Sequence, residues 1–133
     1  MTASDRAVEL ATAAAQAAAD KLATDIVLLD VSERLVITDA FVVCTGTNER
    51  QVGAICEAVE DALRAHDAKP ARREGEREGR WVLLDFVDVV VHVQHQEERV
   101  FYALERLWKD CPAIPWSDRD APLHDEARAA AAE

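Results

Sequence analysis

Apolar side chains recur with a helical period at the start of the sequence. From Asp5 to about Ala23 they return every three to four residues, and Ser4 precedes them as a candidate N-cap. The pattern predicts an amphipathic first helix whose apolar face is built mainly of small side chains. The members of that face are Val8, Ala11, Ala15, Ala18 and Leu22.

Two short apolar runs follow, each typical of a strand that is covered on both faces. The first is Ile26–Leu29, which ends at Asp30, and the second is Ala40–Cys44. The turn Thr45-Gly46-Thr47, with a threonine cap, leads into a second helical period. This helix should end near Lys69-Pro70, because proline disfavours helical geometry in the residue before it. The apolar face comprises Val52, Ile55, Val59, Leu63 and His66.

Residues 69–80 differ from the rest of the sequence in composition. They contain five of the fifteen basic side chains and two of the four glycines. We interpret them as a short edge strand followed by an exposed loop. This segment is the one basic patch of the sequence that could touch RNA.

A β-hairpin is predicted next. The apolar segments Trp81–Leu84 and Val89–Val93 are separated by Asp85-Phe86-Val87-Asp88. The second segment is almost wholly apolar, which places it at the centre of the sheet. We expect Phe86 and Val87 to be exposed at the turn, where apolar groups are costly without a partner. Two interpretations of Trp81 stay open, since aromatic side chains fill cores and also dominate binding hot spots.

A last helix is predicted from about Gln96 to Trp108, and prolines after Trp108 prevent its continuation. Its expected apolar face is Val100, Phe101, Leu104, Leu107 and Trp108. The element order α-β-β-α-β-β-β-α indicates a single α/β domain with a mixed sheet. We place that domain at residues 1–116 and an acidic, alanine-rich tail at 117–133, either extended over the body or disordered.

Composition narrows the class of protein. A chain of 133 residues with a net charge of −11 is one folded domain, too acidic for generic DNA or RNA binding through a basic face. An anionic membrane surface is disfavoured for the same reason. The cysteines Cys44, Cys56 and Cys111 are odd in number and lack C-x-x-C spacing, which fits a reducing cytoplasm. The sequence has no signal-peptide pattern and no apolar run long enough to span a membrane.

Candidate catalytic groups are few. Asp85 and Asp88 could bind a divalent metal for nucleotidyl transfer, but their i, i+3 spacing across a turn is more typical of turn-forming acids. His92 and His95 would point to opposite faces of a strand, which favours a hydrogen-bonded core histidine and a loop histidine over a metal site. The residues alone therefore support neither an enzyme nor a cofactor.

Four blocks of the sequence carry a resemblance to a known family. They are DIVLLDV at 25–31, TDAFVVCTGTNERQ at 38–51, GRWVLLDFVDVVVH at 79–92 and RVFYALERLW at 99–108. In this order they resemble the ribosomal silencing factors, also called the Iojap-like family, over about residues 5–116. The resemblance implies a five-stranded mixed sheet with flanking helices in a nucleotidyltransferase-like topology, without catalysis, cofactor or metal.

The resemblance also implies a function. A family member binds ribosomal protein L-fourteen on the large subunit, blocks docking of the small subunit and lowers translation when nutrients are scarce. The positions carried over to the partner surface are Trp81, Phe86 and Asp88, with Asp85 and Tyr102 as further candidates. Family members also often form homodimers. The alternative function is a nucleotidyltransferase-like enzyme that uses Asp85 and Asp88, which calorimetry with ATP and magnesium would distinguish.

One position departs from the family pattern. Val87 stands where the family usually has glycine, between Asp85 and Asp88. If that glycine has a positive φ, a β-branched side chain there is strained. The sequence therefore predicts either a strained turn at Val87 or a turn of another form.

Overall fold

The helices and strands follow one another in the order predicted from the sequence. In the computed structural model the described residues are 2–101 and 104–119. The helices are α1 (Asp5–Asp20), α2 (Glu49–Arg64), α3 (Gln96–Phe101) and α4 (Leu104–Leu107). The strands are β1 (Thr24–Asp30), β2 (Ala40–Gly46), β3 (Arg72–Glu74), β4 (Trp81–Asp85) and β5 (Val89–His95). The last predicted helix is thus described in two parts.

The five strands form one mixed sheet in the order β1-β2-β5-β4-β3. Strands β2 and β5 are parallel, and all other neighbours are antiparallel. The predicted α/β fold, the central position of β5 and the edge position of β3 are all confirmed. Helix α2 begins the connection that returns the chain from β2 to its parallel neighbour β5.

The sheet buries its two faces to different extents. Because side chains alternate along a strand, Val82 and Leu84 of β4 lie in the main core with α1 and α2, whereas Trp81 and Leu83 lie on the other side. A smaller cluster on this second side is centred on Leu29, Val31, Phe41 and Val90. Leu35, Trp108 and Cys111 pack against that cluster, which covers the β1–β2 part of the second face.

Helix α1 packs on the sheet through small side chains. The Ser4 side chain accepts a hydrogen bond from the Ala7 amide at 3.1 Å, which confirms the predicted N-cap. The expectation that Leu22 lies on the buried face is wrong: the helix ends at Asp20, and Leu22 is 78% exposed with φ +65°. The apolar residues buried on α1 are Ala7, Leu10, Ala11, Ala14, Ala15, Ala17 and Ala18.

Helix α2 begins and ends at other residues than predicted. Its N-cap is Asn48, whose side chain accepts from the Gln51 amide at 2.8 Å, so the threonine cap is wrong. Thr47 instead donates its amide and hydroxyl to Gln51 Oε1. The helix ends at Arg64, ahead of the predicted end near Lys69-Pro70, because Asp67 takes a positive φ of 62°.

Helix α3 is rotated relative to the predicted face. Val100, expected in the core, is 79% exposed, whereas its neighbour Arg99 is buried. The Arg99 guanidinium donates a hydrogen bond to Thr45 Oγ1 at 2.8 Å, and this buried polar contact sets the rotation. The part of the predicted face at Leu104 is buried as expected.

The segment after α4 extends over the edge of the sheet. The Asp30 amide donates to the Pro112 carbonyl at 2.8 Å, and the Ile114 amide donates to the Leu28 carbonyl at 2.8 Å. These contacts cover part of the free edge of β1. The tail residues 120–133 lie outside the described part of the chain. Among the described helices, none is long and apolar enough to cross a membrane.

Candidate docking surface

The second face of the sheet is partly open at β4. Three side chains of this strand point to that side and are only half-buried, and we call them the β4 surface: Trp81, Leu83 and Asp85. A shallow hollow of about 270 Å³ lies there between Trp81, Leu83 and Glu74. A partly exposed tryptophan beside a partly exposed leucine on one face of a sheet is the kind of apolar surface that protein partners cover.

The indole of Trp81 is held in place by a side chain on the neighbouring strand β5. Its Nε1–H donates a hydrogen bond to His92 Nδ1 on the neighbouring strand at 3.2 Å. The His92 ring in turn meets the ring of Phe41 edge to face, with centroids 4.9 Å apart. His92 is therefore the predicted hydrogen-bonded core histidine. His95, expected in a loop, is the buried last residue of β5, where its Nδ1 accepts from the Glu97 amide at 3.1 Å.

Burial makes the protonation of His92 unfavourable and lowers the pKa of its imidazole to about 4. In the unfolded chain the pKa is about 6.5. The unfolded state therefore takes up a proton that the folded state does not, and the free energy of unfolding falls as the pH drops from about 6.5 to about 4.

We expect this effect to remove about 2–3 kcal/mol of stability between pH 7 and about pH 4.5. Urea unfolding at the two pH values measures it. In His92→Phe the matching part of the pH dependence should vanish, whereas other groups titrate as before. An equal pH dependence in both proteins would contradict the assignment to His92.

The position of Phe86 corrects the sequence analysis. Phe86 was expected to be an exposed anchor at the hairpin turn, but it is only 5% exposed and belongs to the main core. The alternation of β4 continues one residue beyond the strand, so that Phe86 falls on the same side as Val82 and Leu84. Val87, the next residue, is 50% exposed as predicted.

The hairpin turn is strained at Val87. Its φ is +73°, and the Asp88 amide donates to the Phe86 carbonyl at 2.9 Å, which defines a γ-turn of the rare positive-φ form. The turn is held by Asp85 Oδ1, which accepts from the Val87 amide at 2.8 Å. The Asp88 carbonyl also accepts from the Asp39 and Ala40 amides. The strained alternative is therefore the one that the chain adopts.

We expect Val87→Gly to stabilise the protein by about 1 kcal/mol. Glycine removes a strain of about 1–3 kcal/mol at this φ and adds about 0.5–1 kcal/mol of chain entropy to the unfolded state. Thermal unfolding measures the difference. Val36→Gly, at a fully exposed loop position, is the matched control and should not stabilise. A Val87→Gly protein that unfolds at a lower temperature than the wild type would contradict the strain.

The carboxylate of Asp85 is engaged in the fold. Asp85 Oδ2 lies 3.8 Å from the Arg72 guanidinium, and Asp85 Oδ1 holds the Val87 amide. Asp88 is half-buried and directly precedes β5. Among the described residues, no group of three or more His, Cys, Asp or Glu side chains could hold a metal ion. Tyr102, the remaining candidate, lies outside the described residues.

Two of the three thiols are core groups. Burial raises the pKa of Cys44 and of Cys56 to about 12, so both stay protonated at neutral pH. Cys111 is half-buried beside the smaller core cluster. The prediction that Cys44 and Cys56 are small core residues is confirmed.

The basic segment 69–80 is largely neutralised by its own neighbours. Arg73 binds the Glu60 carboxylate of α2, and Arg72 lies 3.5 Å from Glu74. The Arg80 guanidinium donates to both Glu97 and Glu98 at 2.6 and 2.9 Å, which raises the pKa of Arg80. Three of the five basic side chains of the segment, Arg72, Arg73 and Arg80, thus have acidic partners.

Leu83 was missed by the sequence analysis. The sequence did indicate its position. Leu83 is two residues from Trp81, so both side chains project to the same face of the strand, opposite to Val82 and Leu84. The β4 surface is therefore apolar over two consecutive outward positions and ends in the carboxylate of Asp85. The candidate site is therefore a mixed apolar and acidic surface on one face of the sheet.

Comparisons with known proteins identify the family. The profile of the family described as "Ribosomal silencing factor during starvation" matches residues 4–133. Two curated proteins called "Ribosomal silencing factor RsfS" are similar. The one from Bacillus subtilis is 43% identical over 99 residues, which are 74% of this chain and 84% of that protein. The one from Halalkalibacterium halodurans is 41% identical over 106 residues, 80% of this chain and 91% of that protein.

A solved structure agrees with these relatives. The crystal structure of a Chromobacterium violaceum protein superposes with a TM-score of 0.73 at 36% identity and covers 76% of this chain and 84% of that one. The chain belongs to the ribosomal silencing factor family. The resemblance read from the four sequence blocks is thereby confirmed.

Proposed function

We propose that the protein represses translation by binding the large ribosomal subunit through its L-fourteen protein and sterically blocking the small subunit, when nutrients are limiting. The observation that carries the proposal is the family match over residues 4–133. The relatives are named as silencing factors of the ribosome, a regulatory role rather than a catalytic one. The site of action would be the cytoplasm.

The β4 surface supports the docking step. Trp81 and Leu83 offer apolar area that a partner can bury, and Asp85 adds a negative charge beside it. Ribosomal proteins are typically basic, so a chain with a net charge of −11 is attracted to such a partner rather than repelled. Asp88 and Tyr102 remain proposed partner contacts. Phe86 acts from the core and supports the turn that presents Asp85.

Self-association belongs to the same proposal. A second copy of the chain could cover the same apolar side chains, and one surface that serves both partners makes dimerisation and ribosome binding mutually exclusive. Light scattering across a range of concentrations measures the dimer.

Sedimentation of purified ribosomal subunits tests the function. At a magnesium concentration that permits joining, an excess of the protein should convert joined ribosomes into separate subunits and should cosediment with the large one. Joining that is undiminished by excess protein would refute the proposal. A protein that binds the large subunit without reducing joining would refute the steric mechanism alone.

A further inference from the structure

We infer that His92 is a positioning residue, which fixes the Trp81 indole on the β4 surface in the orientation that the partner meets. The inference rests on the proposed function for its consequence, but its structural part stands on contacts within the chain. His92 pairs with Leu83 across β5 and β4, so its side chain lies beside the β4 surface on the same face of the sheet. The Trp81 indole N–H donates to His92 Nδ1 at 3.2 Å.

This hydrogen bond determines which side of Trp81 faces outward. With its N–H directed at His92, the indole keeps its single polar group inside and presents carbon atoms to a partner. A partner at this position therefore gains by burying apolar area rather than by offering a hydrogen-bond acceptor. Fixing the rotamer beforehand also spares the entropy that a mobile tryptophan would lose on binding.

His92 is itself held by aromatic packing. Its ring meets the Phe41 ring edge to face at 4.9 Å, and the Phe41 ring meets the Trp108 ring at 5.1 Å and 74°. His92 is 6% exposed. The His92 imidazole is thus held in one orientation. It contacts Phe41 in the covered part of the second face and Trp81 in the open part at β4.

The remaining nitrogen of His92 argues that the histidine serves a purpose other than stability. Because Nδ1 accepts the indole hydrogen, the proton of the neutral ring lies on Nε2. Nε2 is buried and has no hydrogen-bond partner among the described residues. A buried donor without a partner destabilises the fold, and a phenylalanine ring of similar shape would avoid that cost. What phenylalanine cannot supply is the acceptor for Trp81.

Two variants separate the acceptor from the ring. His92→Phe keeps a flat ring against Phe41 and removes the acceptor, whereas His92→Asn places an acceptor oxygen where Nδ1 was. Each is compared with the wild type in its affinity for purified large ribosomal subunits, measured by cosedimentation. NMR of the Trp81 indole N–H, assigned by its loss in Trp81→Phe, reports the hydrogen bond without any ribosome.

We expect His92→Phe to bind about 3- to 10-fold more weakly, since one hydrogen bond is lost, without a fall in Tm at pH 7. Its indole N–H resonance should move and exchange faster with solvent. His92→Asn should restore both the resonance and the affinity to within about twofold of the wild type. In a Trp81→Phe background, His92→Phe should cause no further loss of affinity.

Three results would overturn the inference. An indole resonance unchanged in His92→Phe means that His92 does not hold Trp81. Wild-type affinity of His92→Phe means that the position does not matter for docking. An equal loss in the Trp81→Phe background means that His92 acts through another group. If the wild type itself fails to bind the subunit, the proposed function fails, while the NMR comparison still decides whether His92 holds the indole.

Discussion

Replacing Trp81 with alanine is expected to weaken binding to the large ribosomal subunit by at least about 30-fold, the loss typical of an aromatic hot spot. The side chain is the largest apolar group of the β4 surface, and its removal takes away both contact area and the neighbour of Leu83. The fold should persist, because Trp81 is only half-buried. Cosedimentation gives the affinity, and circular dichroism checks the fold.

A matched control is available at the turn after α1. Leu22 is also apolar and is 78% exposed, but it follows α1, which packs on the other face of the sheet. Leu22→Ala should bind as the wild type does. Equal binding by Trp81→Ala and Leu22→Ala would move the docking surface away from β4.

Phe86→Ala is expected to reduce the free energy of unfolding by about 3–5 kcal/mol, as large-to-small changes of buried aromatic residues do. Phe86 is 5% exposed and lies in the main core, so the change leaves a cavity under the hairpin turn. That loss is a large share of the roughly 5–15 kcal/mol by which a domain is stable. Urea unfolding followed by circular dichroism measures it.

The comparison variant is Val36→Ala, at a fully exposed position, which should change the stability by less than about 0.5 kcal/mol. A Phe86→Ala protein as stable as Val36→Ala would show that Phe86 is not part of the core. Any weaker ribosome binding by Phe86→Ala must be judged at a temperature where the variant is fully folded.

The fold could be predicted from the sequence because its apolar residues fall either in continuous short runs or at helical spacing. The runs at Ile26–Leu29, Ala40–Cys44 and Val89–Val93 all became strands, and the almost wholly apolar run became the central one. Phe86 was misplaced because the in-and-out alternation of a strand was applied only to the apolar run Trp81–Leu84 and was not continued into the turn. Counting one residue further would have put Phe86 on the buried side.

Other errors came from contacts between residues that are distant in the sequence. Helical spacing alone favoured a buried Val100, but the hydrogen bond from Arg99 to Thr45 on β2 turns that position outward. The exposure of Trp81 likewise depends on how far the segment around Trp108 and Cys111 covers the second face. The pattern of residues around Trp81 does not show how far that segment reaches. The two interpretations of Trp81 therefore could not be separated from the sequence.

The ion pairs of the segment 69–80 have a consequence for non-specific binding to RNA. Arg73 and Arg80 are bound to Glu60, Glu97 and Glu98. Free arginines would release counterions from any RNA in the cell and would retain the protein there without selectivity. Because these charges already have acidic partners, an encounter with bare RNA gains less from them, and non-specific retention on RNA is weaker.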